Sequence, residues 1–278
     1  MAFDIEKIKE FEEEENPDLG GFLSQFEGDE LASYYWHLSF RTGCDLSRFV
    51  DEVPPLPTDN ECFNYMKRAV IPDYVTEIAN GTFYDCTSLQ SITIPNSVTE
   101  IGKDAFRDCK SLQSITIPNS VTKIDDRVFL NCKSLQSVSI PNSVKKIGEG
   151  AFRDCESLQS ITIPNSVTEI ADGTFWDCES LQSIDIPNSV KKIDVYLFKN
   201  CTSLQSITIP NSVTKIGFSA FENCTSLQSI TIPNSVTKIA EDTFRGCESL
   251  QSVDIPERFK DNLESIGIDE TKTKVTFI

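Results

Sequence analysis

The chain has 278 residues, 39% hydrophobic and 24% charged, a balance that excludes a disordered or fibrous class and suits one solenoid or two globular domains. Its formal net charge is −18, and residues 1–64 hold 16 Asp and Glu against 4 Lys and Arg; a field of that sign repels phosphate backbones, so nucleic acid is excluded as a partner. No stretch approaches the roughly 18 consecutive apolar residues of a membrane-spanning helix.

The opening MAFDIEKIKEFEEEE is acidic where a secretory signal would place a basic region and then an apolar run, which makes the cytoplasm the expected location. Ile5, Ile8 and Phe11 fall on one helical face, residues 31–40 are aromatic-rich and predicted helical, and VPPLPTD at 53–59 reads as a linker. Residues 1–65 do not repeat. They are expected to form either a helical cap or a separate partner-binding module. His37 is the only histidine, so a histidine-based triad would have to be built on this one residue of the non-repeating segment, and a packed or surface ring is the plainer reading.

From residue 66 a period of 23 takes over and runs through eight units to residue 249, with a ninth strand begun at Leu250. The unit LQSITIPNSVTEIGKDAFRDCKS starts at Leu89. The alternation Ile92, Thr93, Ile94 predicts a short strand with one face buried. Pro95 ends it, because proline has no N–H for a ladder. The chain then turns through Asn96 and Ser97 and buries Val98 and Ile101. Phe106 and Cys109, three residues apart, would share the inward face of one helical turn. Successive strands are expected to lie parallel in a single sheet, with right-handed crossovers.

Cys86, Cys109, Cys132, Cys155, Cys178, Cys201, Cys224 and Cys247 stand 23 residues apart. Stacked coils would carry these side chains in parallel about 4.8 Å apart, whereas a disulfide needs Cβ atoms converging to roughly 3.8 Å, so buried free thiols are expected. A row of single ligands is also no tetrahedral zinc site. At the end of the chain, Phe259, Leu263 and Ile266 have the spacing of a short amphipathic helix, and residues 275–278 suit a last strand; residues 256–278 are expected to cap the solenoid of residues 66–255.

The pattern L-x-x-I-x-I-P-x-S-V-x-x-I-x-x-x-x-F-x-x-C resembles the BspA-like leucine-rich repeat over residues 66 to about 256. The resemblance implies a leucine-rich-repeat solenoid, a horseshoe or shallow arc, and a role in protein binding. In surface members of the family that role is adhesion to host matrix proteins, so an adhesin on the cell surface is the alternative to a cytoplasmic scaffold.

No nucleotide-binding, zinc-protease or nucleophile-elbow motif occurs; no catalytic, cofactor or metal residue is singled out. The expected function is that of a non-enzymatic, monomeric scaffold for a protein partner, with an enzyme site hidden in residues 1–65 a distant alternative. Two sets of residues are candidates for partner contact. The pair of positions before the second buried isoleucine carries Lys123, Lys145, Lys146, Lys191, Lys192, Lys215 and Lys238, which stacking would set in a row along one flank and which would favour an acidic partner. On the convex side Tyr84, Trp176, Tyr196 and Phe218 supply aromatic side chains of the kind that anchor interfaces.

Overall fold

No 23-residue unit has enough apolar side chains on one element to close a core alone, so the units cover one another. The structure, a computed structural model, describes residues 5–12, 22–27, 35–40 and 66–278. Each unit contributes a three-residue strand such as Ser91–Thr93 or Ser114–Thr116, its central aliphatic residue buried and its flanking residues turned outward. These strands pair in parallel with a constant offset of 23, Ser114 opposite Ser137 and Ile115 opposite Val138. One ladder runs from Arg68–Val70 to Ser160–Thr162 and another from Ser183–Asp185 to the terminal strand Lys274–Phe277. Between them the Gln182 N–H still reaches the Gln159 carbonyl at 3.4 Å.

The solenoid is the one expected, but two local features differ from the sequence reading. A second, two-residue strand follows in each coil, and these strands pair in parallel in three short runs, Glu77–Ile78 with Glu100–Ile101, Lys123–Ile124 through Glu169–Ile170, and Lys192–Ile193 through Lys238–Ile239. The convex side is also built of turns and not of a helical turn. The amides of Tyr84 and Cys86 close turns on the Gly81 and Phe83 carbonyls at 2.9 and 3.2 Å, while those of Gly81, Phe83 and Asp85 donate to Lys103, Ala105 and Arg107 of the next coil at 2.8–2.9 Å. An α-helix would keep all of these bonds within the coil.

Left-handed residues at two places per coil break the helix. One column runs Asp85, Asp108, Asn131, Asp154, Asp177, Asn200, Asn223 and Gly246, all with φ between 56° and 74°. These are the residue types that tolerate this conformation best. The other column mixes Gly81, Gly150 and Gly173 with Asp104, Arg127, Tyr196, Ser219 and Asp242.

Inside, the phenylalanines form a continuous stack from Phe83 to Phe244, with ring centroids 5.2–5.8 Å apart and planes within 14° of parallel. Beside them lies the thiol column, free and buried except for a partly exposed Cys247. Each thiol from Cys109 to Cys247 lies 3.0–3.2 Å from the phenylalanine carbonyl 26 residues earlier, as Cys155 does to Phe129. The cysteine thus fills core volume and also donates a weak bond to a carbonyl of the preceding coil. Most members of a serine column do likewise, Ser97 to the Val75 carbonyl at 2.8 Å and Ser212 to Val190 at 2.7 Å, while Ser166 and Ser235 make no such bond.

Both ends of the stack are covered. Helical residues 35–40 are buried throughout, and Phe40 sets its ring 5.5 Å from Phe83. Ser39 Oγ and the Tyr35 hydroxyl lie 3.0 and 3.2 Å from the Tyr74 hydroxyl of the first coil. The helix Ile5–Glu12 buries Ile8 and Phe11, the latter stacked on Phe22 at 4.5 Å. Residues 31–34 and the proline-rich 53–59 lie outside the described residues. At the other end Pro256 opens a 3-10 helix, Glu257–Asn262, in place of the amphipathic α-helix expected there, and Phe259, Leu263 and Ile266 are buried against the last coil. Arg258, one period after Ser235, donates its guanidinium to the Val236 carbonyl at 3.2 Å and so continues the serine column with a longer side chain.

Candidate partner-binding surfaces

The second strands carry the lysine flank. Reading one residue per coil along this ladder gives Glu77, Glu100, Lys123, Lys146, Glu169, Lys192, Lys215 and Lys238. Register pairs Lys192 with Lys215 and Lys215 with Lys238, so the predicted row exists, but Glu169 stands opposite Lys146 and divides it. Lys145 and Lys191 precede the ladder residues and are exposed. Neighbouring acids neutralise part of the row. Lys146 Nζ meets Glu169 Oε1 at 2.7 Å, Lys123 meets Asp125 at 3.1 Å and Lys192 meets Asp194 at 2.9 Å. The hydrogen bond to Glu169 raises the Lys146 pKa above its usual value, and that to Asp194 does the same for Lys192. Burial holds the Asp194 carboxyl above the ordinary carboxylate range even with Lys192 beside it. Burial pushes Asp125 the same way, but the Asp126 N–H and the Lys123 ammonium outweigh it and leave Asp125 below that range.

On the convex side the structure joins three of the four predicted aromatics. Trp176 and Tyr196 have centroids 5.1 Å apart, and Tyr196 meets Phe218 edge-on at 5.6 Å. The Arg153 guanidinium lies 3.7 Å from the Trp176 centroid, and Lys199 Nζ is 5.4 Å from Trp176 and 5.1 Å from Tyr196. The result is a half-exposed ridge spanning several coils, with a shallow hollow of about 90 Å³ between Trp176, Tyr196, Arg127 and Arg153. A bidentate pair with Asp104, both contacts at 2.9 Å, holds Arg127, and this bonding keeps Asp104 below its usual pKa. Tyr84 stands apart toward the first coil, exposed, with Arg107 5.4 Å from its ring. Spacings of 20 and 22 residues link Trp176, Tyr196 and Phe218; neither equals the period, so contact between them is invisible until the convex turns are placed.

The concave face is a polar field of serine, threonine and glutamine, interrupted by Asp185 and Asp254. In the left-handed column of Asp, Asn and Gly the side chains of successive coils meet. Asn131 donates to Asp108, Asn200 to Asp177 at 2.7 Å and Asn223 to Asn200 at 2.9 Å, but Asp154 meets Asp177, carboxylate against carboxylate. Burial, and then the hydrogen bond with Asp177, lift the Asp154 pKa to about 6. Burial raises the pKa of the thiols from Cys109 to Cys224 well above that of a free cysteine, and Cys247, the least buried, is pushed to about 12. Among the described residues no group of three or more His, Cys, Asp or Glu is placed to hold a metal ion, and no helix is long and apolar enough to cross a membrane. The sole histidine, His37, is buried among helical residues 35–40.

Parallel ladders at a 23-residue offset, aliphatic and phenylalanine columns and a strand on the concave side of every coil define a leucine-rich-repeat solenoid. The family model for the BspA-type leucine-rich repeat region matches residues 59–182 and 168–270; the chain belongs to this family. Among solved structures it is similar to a leucine-rich repeat protein of T. pallidum, at 30% identity and a TM-score of 0.54, covering 72% of this chain and 83% of that one. It is also similar to a leucine-rich repeat protein of Bacteroides ovatus, at 29% identity and a TM-score of 0.50, covering 76% and 66%. No curated protein sequence matches it.

Proposed function

We propose that the chain is a non-enzymatic scaffold that binds a protein partner on the outside of the solenoid, within the cell. The observation that supports this reading is the ridge Trp176–Tyr196–Phe218 with Arg153 and Lys199 against it, since large, partly exposed aromatics and arginine on a rigid frame are the residues from which interface hot spots are made. Regular coils hold the frame, so little ordering entropy opposes binding. The lysine flank and Tyr84 are secondary contacts, the lysines for an acidic surface. Family membership supports a binding role, as scaffold or as adhesin.

A photo-crosslinker placed at Glu222, which pairs with Lys199 beside the ridge, tests the proposal in the native cell. A single captured protein should disappear from the capture when Trp176→Ala and Tyr196→Ala are combined, with the circular dichroism spectrum unchanged. Capture that survives both changes refutes the ridge as the anchor. Capture only from outside intact cells favours the adhesin.

A further inference from the structure

The charges of the second-strand ladder are sorted along the solenoid. Its first two coils present Glu77 and Glu100, and its last two present Lys215 and Lys238; none of the four makes an ion pair among the described residues. All are exposed. The interior of the same row is different, because its charges are satisfied within the chain: Lys123 by Asp125, Lys146 by Glu169 and Lys192 by Asp194.

We propose that this flank is the contact between two copies of the chain laid side by side and antiparallel. Numbering the coils one to eight, a two-fold axis between coils four and five sets coil one against coil eight and coil two against coil seven. Glu77 then faces Lys238 and Glu100 faces Lys215, and the axis makes each of these pairs twice. Coil four against coil five brings Lys146 to Glu169 of the other copy, again twice. Only coil three against coil six opposes like charges, Lys123 and Lys192, and these are the two lysines that carry their own aspartate two residues later. Lys145 and Lys191 would meet the uncharged Thr168 and Thr122. A parallel arrangement would instead oppose every glutamate to a glutamate and every lysine to a lysine, so the pattern selects one orientation. Coil spacing of about 4.8 Å puts the two charged ends roughly 34 Å apart on each rod, and the match therefore depends on both ends engaging together. Whereas the sequence alone gives a monomer, this reading gives a weak homodimer whose contact lies apart from the aromatic ridge.

The four end contacts are exposed pairs, each worth a factor of about 1.4 to 5 in an equilibrium constant. Sedimentation of the full chain over a wide concentration range should show reversible monomer–dimer exchange. Combining Lys215→Glu with Lys238→Glu should weaken it by at least about ten-fold, and combining Glu77→Lys with Glu100→Lys should do the same. Mixing these two variants should restore association, since each end then meets the opposite charge on the other chain, and the restoration excludes misfolding as the cause of the loss. A wild-type chain that sediments as a monomer at all concentrations overturns the proposal, as does a mixture that fails to associate when the wild type does. Neither result bears on the ridge, which the crosslinking experiment reads separately.

Discussion

Phe152 sits at the middle of the aromatic stack, fully buried, with Phe129 at 5.3 Å on one side and Phe175 at 5.8 Å on the other. Replacing it with alanine empties a ring-sized space whose walls are fixed by ladders above and below, so the site has little freedom to collapse, and the cost should be about 3–5 kcal/mol. That is a large fraction of the roughly 5–15 kcal/mol that stabilises an ordinary domain. In a chain where each coil touches only its neighbours, the defect should also uncouple the two halves. Phe244→Ala provides the control. Its ring has a single stacked neighbour, Phe221 at 5.6 Å, and should cost less by about one aromatic pair, some 0.5–1.5 kcal/mol. Urea denaturation followed by circular dichroism and by tryptophan fluorescence measures both. Phe152→Ala should lower the midpoint strongly and separate the two signals. A loss below about 1 kcal/mol, or a larger loss at Phe244, would refute the reasoning that the stack acts as a continuous spine.

Other outcomes follow from the columns. Because folding raises the Asp154 pKa from its ordinary value to about 6, the folded state holds a proton that the unfolded chain has released between these pH values, so stability should fall as pH rises from about 4 to 6 and level off above. Asp177→Asn should place a donor against Asp154, as Asn200 does against Asp177, remove most of that slope and add about 1 kcal/mol at pH 7.5, a figure reduced for solvent screening; an unchanged slope in thermal melts would count against the carboxylate pair. Ser219→Gly, at a left-handed position with φ of 50°, should stabilise by about 0.5–1 kcal/mol, since Gly81, Gly150 and Gly173 hold the equivalent place, and a lower melting temperature would contradict this. Among the ladder thiols, alkylation of the native protein at pH 8 should modify Cys247 first and the interior thiols from Cys132 to Cys224 only through coil opening; uniform labelling of the ladder would show that the column is not closed.

The concave strands and both inner columns were legible because burial repeats at a fixed step: Ile92, Phe106 and Cys109 recur at the same interval, and the structure buries their columns apart from a partly exposed Cys247. The second strand was harder to see. It has two residues, one of them charged, and no alternation can be read from so short a piece. The convex turns left a trace that propensity alone does not resolve, the Asp, Asn or Gly before every ladder cysteine. Phe106 and Cys109 face inward as a helical turn would place them, but they do so through a turn closed from the Cys109 N–H to the Phe106 carbonyl at 3.1 Å and followed by cross-coil bonds. The lysine row was visible in outline. Which of its members are neutralised depends on how far Asp125, Asp194 and Glu169 reach, and that is a matter of coordinates. The meeting of Trp176 with Tyr196 and Phe218 belongs to the same class.

The offset of 23 that the repeat strands keep, as Ser114 does with Ser137, has an evolutionary consequence. Since the face that one coil offers upward is nearly the face the next offers downward, duplication or excision of a whole repeat would join surfaces that already fit, lengthening or shortening the rod by one layer without redesign. The chain can be viewed as a ruler whose graduations are interchangeable.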